Sequence, residues 1–166
     1  MRGAGLYDGA DYENMRKKRI MVIGPKGSGK TTLVNSLNEY EGALRRTQDT
    51  IYGKETIDVP SAYIENAWMY KHMIALAQDA WCILLLVDQS RTHEVYSHGF
   101  ARAFRCPVIG VISKSDVAAE NRSICERQLA NIGVRKPYFE ISVPQGVGIG
   151  ELKSYLKEMK ERKGLG

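Results

Sequence analysis

Uninterrupted apolar runs alternate along the chain with segments in which apolar residues recur every three or four positions. The runs are typical of strands buried in a parallel sheet, and the wider spacing is typical of helices with one buried face. The apolar runs predict strands over residues 20–23, 47–52, 55–58, 82–87, 108–112 and 138–141. The wider spacing predicts helices over residues 30–39, 64–78, 100–104, 125–132 and 149–159.

This alternation predicts an α/β fold of three layers, in which helices cover both faces of a mostly parallel sheet. The strands at 47–52 and 55–58 are expected to pair with each other through Gly53 and Lys54. The strongest strand signal is the run 82–87, which ends at Asp88.

A single domain is predicted over residues 18–160. The Gly-rich segment 1–17 is expected to be a flexible extension, and 161–166 is expected to be a frayed tail, because Gly164 follows a basic turn typical of a helix end. Whether Met1 or Met15 is the natural start stays open. The 166 residues, of which 43% are hydrophobic and 26% charged, are enough for one substantial core.

Composition argues against several classes of protein. No apolar run approaches the ~20 residues that span a bilayer, and the first residues lack the apolar stretch of a secretory signal, so a cytoplasmic protein is expected. The net charge of +5 permits contact with phosphates. The basic run 16–19 carries no interleaved aromatic residues, so nucleic-acid binding is not expected. We expect reduced core residues at Cys82, Cys106 and Cys125. No metal-ligand spacing links His72, His93 and His98.

The strongest chemical signal is a phosphate-binding loop. It matches the pattern G-x-x-x-x-G-K-[ST] in full, follows a predicted strand and opens a predicted helix. Its glycines allow backbone N–H groups to surround an anion, and the helix N-terminus adds positive potential. Lys30 is expected to reach the terminal phosphates, and the Thr31 hydroxyl is expected to ligate Mg²⁺. The nucleotide contacts are predicted over Gly24-Pro25-Lys26-Gly27-Ser28-Gly29-Lys30-Thr31, with Thr32.

A second signal separates guanine from adenine nucleotides. Ser113-Lys114-Ser115-Asp116 follows directly after the predicted strand 108–112. A carboxylate at Asp116 can accept hydrogen bonds from both N1–H and N2–H₂ of guanine, whereas adenine offers no such pair of donors. Lys114 can lay its alkyl chain along the base. The other interpretation is an ordinary loop between strand and helix in which Asp116 caps the helix.

With these two motifs the chain resembles the translation-factor-related GTPases, whose guanine motif is usually [NT]KxD. Within that group it resembles the EutP/PduV family of small GTPase-like proteins of ethanolamine and propanediol utilisation over residues 19–156. The stretches that carry the resemblance are Arg19-Ile20-Met21-Val22-Ile23-Gly24-Pro25, Arg46-Thr47-Gln48, Ile57-Asp58-Val59-Pro60, Tyr63-Ile64-Glu65-Asn66 and Pro107-Val108-Ile109-Gly110-Val111-Ile112. The resemblance implies the three-layer fold of a small P-loop GTPase and a base-binding loop at Ser142 and Val143. It also implies association with bacterial microcompartments, through shell or enzyme proteins.

The resemblance further implies the residues that complete the magnesium and phosphate site. Asp58 is expected to hold Mg²⁺ as the aspartate of a D-x-x-G segment, with Asp88, at the end of a better apolar strand, as the alternative. Thr47 is expected to be the switch threonine that contacts Mg²⁺ and acts in catalysis with Lys30. Thr50 is the alternative to Thr47.

Three positions depart from the GTPase pattern. Ser61 stands where D-x-x-G has its glycine, Ala62 follows it, and no glutamine follows that could orient an attacking water. Ser113 opens the guanine motif in place of Asn or Thr. Slow or partner-dependent hydrolysis is therefore expected.

Three main functions and a weaker fourth stay open on the sequence. The first is a small GTPase-like protein that binds GTP, or ATP, with Mg²⁺ and acts at a microcompartment. The second is a phosphotransferase that passes the γ-phosphate to a small carboxylate such as acetate. The third is a pseudo-GTPase that keeps nucleotide as a structural ligand, and an RNA-associated GTPase is supported by charge alone. The protein partner, the oligomeric state and the turnover rate are left open.

Overall fold

The computed structural model describes residues 18–39 and 51–164. Over these residues the strands are β1 (Arg19–Ile23), β2 (Ile51–Tyr52), β3 (Thr56–Asp58), β4 (Ala80–Asp88), β5 (Val108–Ser113) and β6 (Tyr138–Glu140). The helices are α1 (Lys30–Leu37), α2 (Ala62–Glu65), α3 (Tyr70–Leu76), α4 (Arg122–Ile132) and α5 (Ile149–Arg162). The predicted extension 1–17 lies outside the described residues, and α5 runs past the predicted domain end at 160.

The strands form one six-stranded sheet in the order β2-β3-β1-β4-β5-β6, in which β2 is antiparallel and the other strands are parallel. β1 and β4 are buried along their whole length, which is why their sequences are uninterrupted apolar runs. β2 and β3 pair through Gly53 and Lys54, as predicted. The parallel strands bring their carboxyl ends to one edge of the sheet, where ligands of α/β proteins bind. The predicted three-layer α/β fold is confirmed.

Helices cover both faces of the sheet because alternate residues of a strand point to opposite sides. On one face α1 and α5 pack on the sheet, where Leu33, Leu152 and Leu156 are buried. On the other face α2, α3 and α4 pack, where Met73 and Leu129 are fully buried. Within the described ranges, no helix is both long enough and apolar enough to cross a membrane.

The cysteines are free thiols. Cys82 and Cys125 are buried in the core, as predicted, and Cys106 is half-buried. Burial raises the pKa of all three thiols above the ordinary value. They therefore remain protonated near neutral pH, which makes them poor nucleophiles.

The predicted helix over residues 64–78 is wrong as a continuous element. Asn66 adopts an extended conformation, with φ of −122° and ψ of 107°, and its Nδ2 donates to the Ala62 carbonyl at 2.8 Å. A side-chain amide bonded to the backbone in this way competes with helix continuation. The segment therefore divides into α2, a 3₁₀ turn at Ala67–Met69, and α3 followed by a second turn at Ala77–Asp79.

The predicted α-helix around residues 100–104 is also wrong, because the segment forms a single 3₁₀ turn at Phe100–Ala103. Phe104 is extended, with φ of −100° and ψ of 141°. The Phe100 ring lies 5.2 Å from that of Tyr70 and 5.3 Å from that of Phe104, measured between centroids. The apolar spacing here therefore reflects an aromatic cluster and not the face of a helix.

Gly148 precedes α5 directly, and we expect Gly148→Ala to destabilise the fold strongly. Its φ is 79°, and a Cβ placed on it would lie 1.9 Å from the Glu140 carbonyl oxygen. Because a backbone atom obstructs the new side chain, the end of β6 or the start of α5 must move. The expected loss is roughly 3 kcal/mol or more of the free energy of unfolding.

Gly146 provides the matched control for this change. Its φ of 67° carries the same kind of backbone strain, but nothing lies within 4 Å of its Cβ position. Gly146→Ala should therefore cost only about 1 kcal/mol. Denaturant unfolding of the two variants measures the difference, and equal losses would mean that the contact with Glu140 is relieved at little cost.

Candidate nucleotide-binding site

The phosphate-binding loop leaves the end of β1 and turns directly into α1. The Ser28 N–H donates to the Pro25 carbonyl at 3.1 Å, and Gly29 has φ of 87° immediately before Lys30 begins the helix. A Cβ on Gly24 would lie 2.9 Å from Ser28 Oγ and 3.1 Å from Leu86 Cβ, so a side chain there would be tightly packed. This arrangement leaves the N–H groups of the first turn of α1 available to an anion.

Lys30 forms an ion pair with Asp58. The side chains are only 11% and 10% exposed. The pair forms because β3 lies beside β1, which brings the last residue of β3 next to the phosphate-binding loop. Thr31 and Asp58 line one cavity of about 310 Å³. Mg²⁺ takes oxygen ligands from one or two protein groups together with substrate phosphates, so this hydroxyl and carboxylate fit it.

Other predicted phosphate-site residues are more exposed or lie elsewhere in the chain. Lys26 and Gly27 are exposed at the tip of the loop, and Thr32 is half-buried in the first turn of α1. Thr47 and Thr50, the two candidate switch threonines, lie outside the described residues. The choice between them stays a prediction.

Asp88, the alternative magnesium ligand, makes different contacts from Asp58. It ends β4, and its side chain is 2% exposed. Its Oδ1 accepts hydrogen bonds from the Ser90 N–H at 2.9 Å and the Ser90 Oγ–H at 2.6 Å. Its Oδ2 lies 3.1 Å from Lys114 Nζ. The carboxylate is therefore joined to the lysine of the guanine motif, whereas Asp58 is joined to the lysine of the phosphate loop.

The guanine motif lies at the carboxyl end of β5 and contacts β4 and β6. Ser113 is buried, and its hydroxyl donates to the Val87 carbonyl at 3.3 Å. Lys114 has a positive φ of 57°, and the Ser115 N–H donates to the Ile141 carbonyl at 3.0 Å. These contacts hold the motif against both neighbouring strands.

Asp116 and Ser142 come together although they are far apart in sequence. Ser142 Oγ donates to Asp116 Oδ1 at 2.9 Å, and Asp116 is otherwise exposed at the sheet edge. Val143 follows in the same loop and is half-buried. Asp116 is not the cap of the next helix, because α4 begins at Arg122 and Asn121 occupies its N-cap position.

Comparison with known proteins agrees with this arrangement. A sequence model of the PduV-EutP family, described as "Ethanolamine utilisation - propanediol utilisation", matches residues 17–158. The chain belongs to the PduV-EutP family. The resemblance inferred from the sequence is thus confirmed.

Two relatives of this PduV-EutP protein and one solved structure illustrate the similarity. "Propanediol utilization protein PduV" of Citrobacter freundii is 34% identical over 140 residues, 84% of this chain and 93% of that protein. "Probable acetate kinase EutP" of Salmonella typhimurium is 29% identical over 147 residues, 87% of this chain and 92% of that protein. A crystal structure described as "a probable GTP-binding protein engB" has a TM-score of 0.62 at 17% identity, covering 87% of this chain and 99% of that chain. At that identity the structural match shows a shared P-loop GTPase fold.

The PduV-EutP chain also contains a site residue that sequence reasoning missed. Gln89 is buried, and its Nε2 donates to the Val117 carbonyl at 2.8 Å and to the Ser115 carbonyl at 3.3 Å. The backbone carbonyl of Gln89 accepts a hydrogen bond from Asn121 Nδ2 at 3.1 Å. Gln89 thus supports the guanine motif from the next strand. A polar residue directly after the most apolar strand was the available signal.

Proposed function

We propose that this PduV-EutP family member binds GTP with Mg²⁺ as a GTPase-like protein. The observation that carries the proposal is the 2.9 Å hydrogen bond from Ser142 to Asp116. It joins the two predicted base-binding segments and orients a carboxylate at the sheet edge. That carboxylate can accept both donors of guanine, and burying it against a base without those donors would leave it unpaired.

The phosphate and magnesium contacts complete the proposed site. The positive end of α1 and the Lys30 ammonium would bind the phosphates, and Thr31 and Asp58 would hold Mg²⁺, together with Thr47 or its alternative Thr50. The Lys30–Asp58 ion pair supports this assignment, because it brings the phosphate-binding lysine and the magnesium-binding carboxylate together. The proposed phosphate contacts are Gly24, Pro25, Lys26, Gly27, Ser28, Gly29, Lys30, Thr31 and Thr32.

The nucleotide carried by freshly purified protein tests this function. It can be released by denaturation and identified by chromatography. We expect guanine nucleotide, with faster loss from the native protein when a chelator removes Mg²⁺. Recovery of adenine nucleotide alone would count against the proposal.

We further propose that the protein works in the cytoplasm at a microcompartment of the ethanolamine or propanediol type. The family and the propanediol-utilisation relative support this location. A fluorescently tagged chain should form foci with shell proteins in cells that assemble such compartments. A diffuse signal in those cells would contradict the location.

Hydrolysis without a partner is expected to be very slow. Ser61 stands at the position of the phosphate-contacting glycine of D-x-x-G, Ala62 follows it, and no glutamine follows that could orient an attacking water. The rate should be on the order of 10⁻³ s⁻¹ or lower, as in GTPases that await a partner's arginine. Phosphate release from GTP measures it, with Lys30→Ala purified in parallel to reveal contaminating activity. A turnover of about one per second would show that another residue performs the chemistry.

A second candidate function is transfer of the γ-phosphate to a small carboxylate. Similarity to relatives named "Probable acetate kinase EutP" favours it. It also agrees with Ser61 and Ala62, since an ionised carboxylate needs no base or water-orienting residue before it attacks phosphorus. Formation of acetyl phosphate from acetate and GTP tests this function. If nucleotide binds but no acetyl phosphate forms, GTP binding remains as the function and phosphoryl transfer to acetate does not.

A further inference from the structure

A second cavity, of about 230 Å³, opens beside the phosphate-binding loop. Pro25 and Lys26 of the loop form one wall, and Glu65, at the end of the helix that follows Asp58, forms another. Among the described residues that line it, none comes from 113–116 or 142–143. Because Pro25 and Lys26 of the loop and Glu65 of the segment after Asp58 share its lining, the cavity would adjoin the terminal phosphate of a nucleotide bound at the loop.

The interior of this cavity is apolar. Val87, Tyr96 and Ile132 line it and are 3%, 7% and 4% exposed. The Tyr96 hydroxyl already donates to the Leu86 carbonyl at 2.6 Å. The tyrosine therefore presents its ring, and the three side chains make a surface suited to a short alkyl group.

The cavity is lined by both basic and acidic side chains. Two side chains are permanently cationic and two are imidazoles: Lys26, Arg91, His93 and His98. The carboxylates are Glu65, Glu94 and Asp88, and that of Asp88 already contacts Ser90 and Lys114. Glu65 and Glu94 balance the two permanent cations, so the place of an anionic group is set by where Arg91 lies and not by an excess of positive charge.

The Arg91 side chain reaches the phosphate-binding loop. Its Nη2 is 3.9 Å from the position that a Cβ on Gly27 would occupy. Its backbone N–H donates to the Asp88 carbonyl at 3.1 Å, which fixes the start of the segment to β4. A guanidinium binds a carboxylate through two parallel hydrogen bonds, so Arg91 can hold an anion at the edge of the phosphate site.

We propose that this cavity is the acceptor site for a small aliphatic carboxylate, held by Arg91 with its alkyl group against Val87, Tyr96 and Ile132. The inference rests on the phosphoryl-transfer function given above as the second candidate. The volume lies below the roughly 300–1,000 Å³ typical of pockets for larger ligands, which favours carboxylates of a few carbons.

The reaction balances without a further reactant. A carboxylate oxygen forms a new bond to the γ-phosphorus, and the bond from that phosphorus to the β,γ-bridging oxygen breaks. The bridging oxygen keeps the electron pair, so the products are an acyl phosphate and the nucleoside diphosphate. No proton leaves the acceptor and no group is oxidised or reduced.

The test is steady-state phosphoryl transfer from GTP·Mg²⁺ to formate, acetate, propionate and butyrate, with acyl phosphate trapped by hydroxylamine. We expect product with the shorter acids. Arg91→Gln should raise the carboxylate KM by about tenfold or more and the nucleotide KM by less than about threefold. The carboxylate KM of Arg91→Lys should lie between the values for Arg91→Gln and the unaltered protein. Arg105→Gln, which changes an exposed arginine that does not line the cavity, should leave all values unchanged.

The outcomes separate the acceptor site from the function on which it rests. Acyl phosphate formation with the same carboxylate KM in Arg91→Gln would overturn the site and leave phosphoryl transfer standing. Nucleotide binding without acyl phosphate from any acid would overturn both. A raised carboxylate KM with a nearly constant nucleotide KM would support the site, and that constant value also shows that the variant is folded.

Discussion

Lys30→Ala is expected to weaken binding of GTP by at least about tenfold, equivalent to about 1.4 kcal/mol. The Lys30 side chain is only 11% exposed and lies at the start of α1, beside Asp58. A charge-assisted hydrogen bond to a phosphate in such a sheltered position is stronger than one at the surface. Removal of the ammonium also leaves the sheltered Asp58 carboxylate without its cation, so it would repel the incoming phosphates.

Calorimetric titration with GTP·Mg²⁺ measures this loss. Lys153→Ala is a suitable control, since Lys153 is exposed on α5 and is not among the predicted nucleotide contacts. Thermal unfolding of each variant without nucleotide separates a binding defect from a folding defect. Equal affinities for Lys30→Ala and the unaltered protein would defeat the assignment of the loop.

Asp116→Asn should exchange GTP for XTP as the preferred ligand. The carboxylate accepts hydrogen bonds from N1–H and N2–H₂ of guanine, whereas an asparagine amide also offers a donor, which suits the 2-oxo group of xanthine. Because unpaired polar groups in a binding site are costly, GTP affinity should fall by about tenfold or more and XTP affinity should rise. Asp116 is exposed and its carboxylate accepts a hydrogen bond from the Ser142 hydroxyl, which an asparagine oxygen can also accept, so the fold should survive the change.

Competition between labelled GTP and unlabelled XTP measures the exchange of preference. Glu120→Gln neutralises an exposed acid in the turn just after the motif and should change neither affinity. If Asp116→Asn also changes neither the GTP affinity nor the XTP affinity, Asp116 does not contact the base. The phosphotransferase function, which does not require guanine, would then be favoured over the GTPase-like function.

The sequence predicted the sheet well, because a buried strand has a local physical signature. β4 is buried from Ala80 to Asp88, and a strand buried in this way consists mainly of apolar residues. In the loop between β1 and α1, Gly24 lies where a side chain would be tight and Gly29 has a positive φ, so glycines at these two positions have a physical reason. The helix predictions failed where Asn66 bonded to the backbone and where Phe100 and Phe104 packed in an aromatic cluster.

Contacts between distant segments were harder to predict. The pairing of Asp88 with Lys114 depends on the separation of β4 and β5 at their carboxyl ends, which no short sequence pattern encodes. The approach of Arg91 to Gly27 likewise depends on how the segment after β4 folds back over the loop. The expectation that Asp58 belongs to this site came from the family resemblance and not from the residues themselves, and the pairing of β3 with β1 brings it beside the loop.

The most direct test of guanine recognition is the ratio of GTP to ATP affinity in the unaltered protein. Both titrations should be run by calorimetry with saturating Mg²⁺ after removal of any carried nucleotide. The account predicts that GTP binds about tenfold or more tightly, a difference of about 1.4 kcal/mol. Equal affinities for GTP and ATP would contradict it.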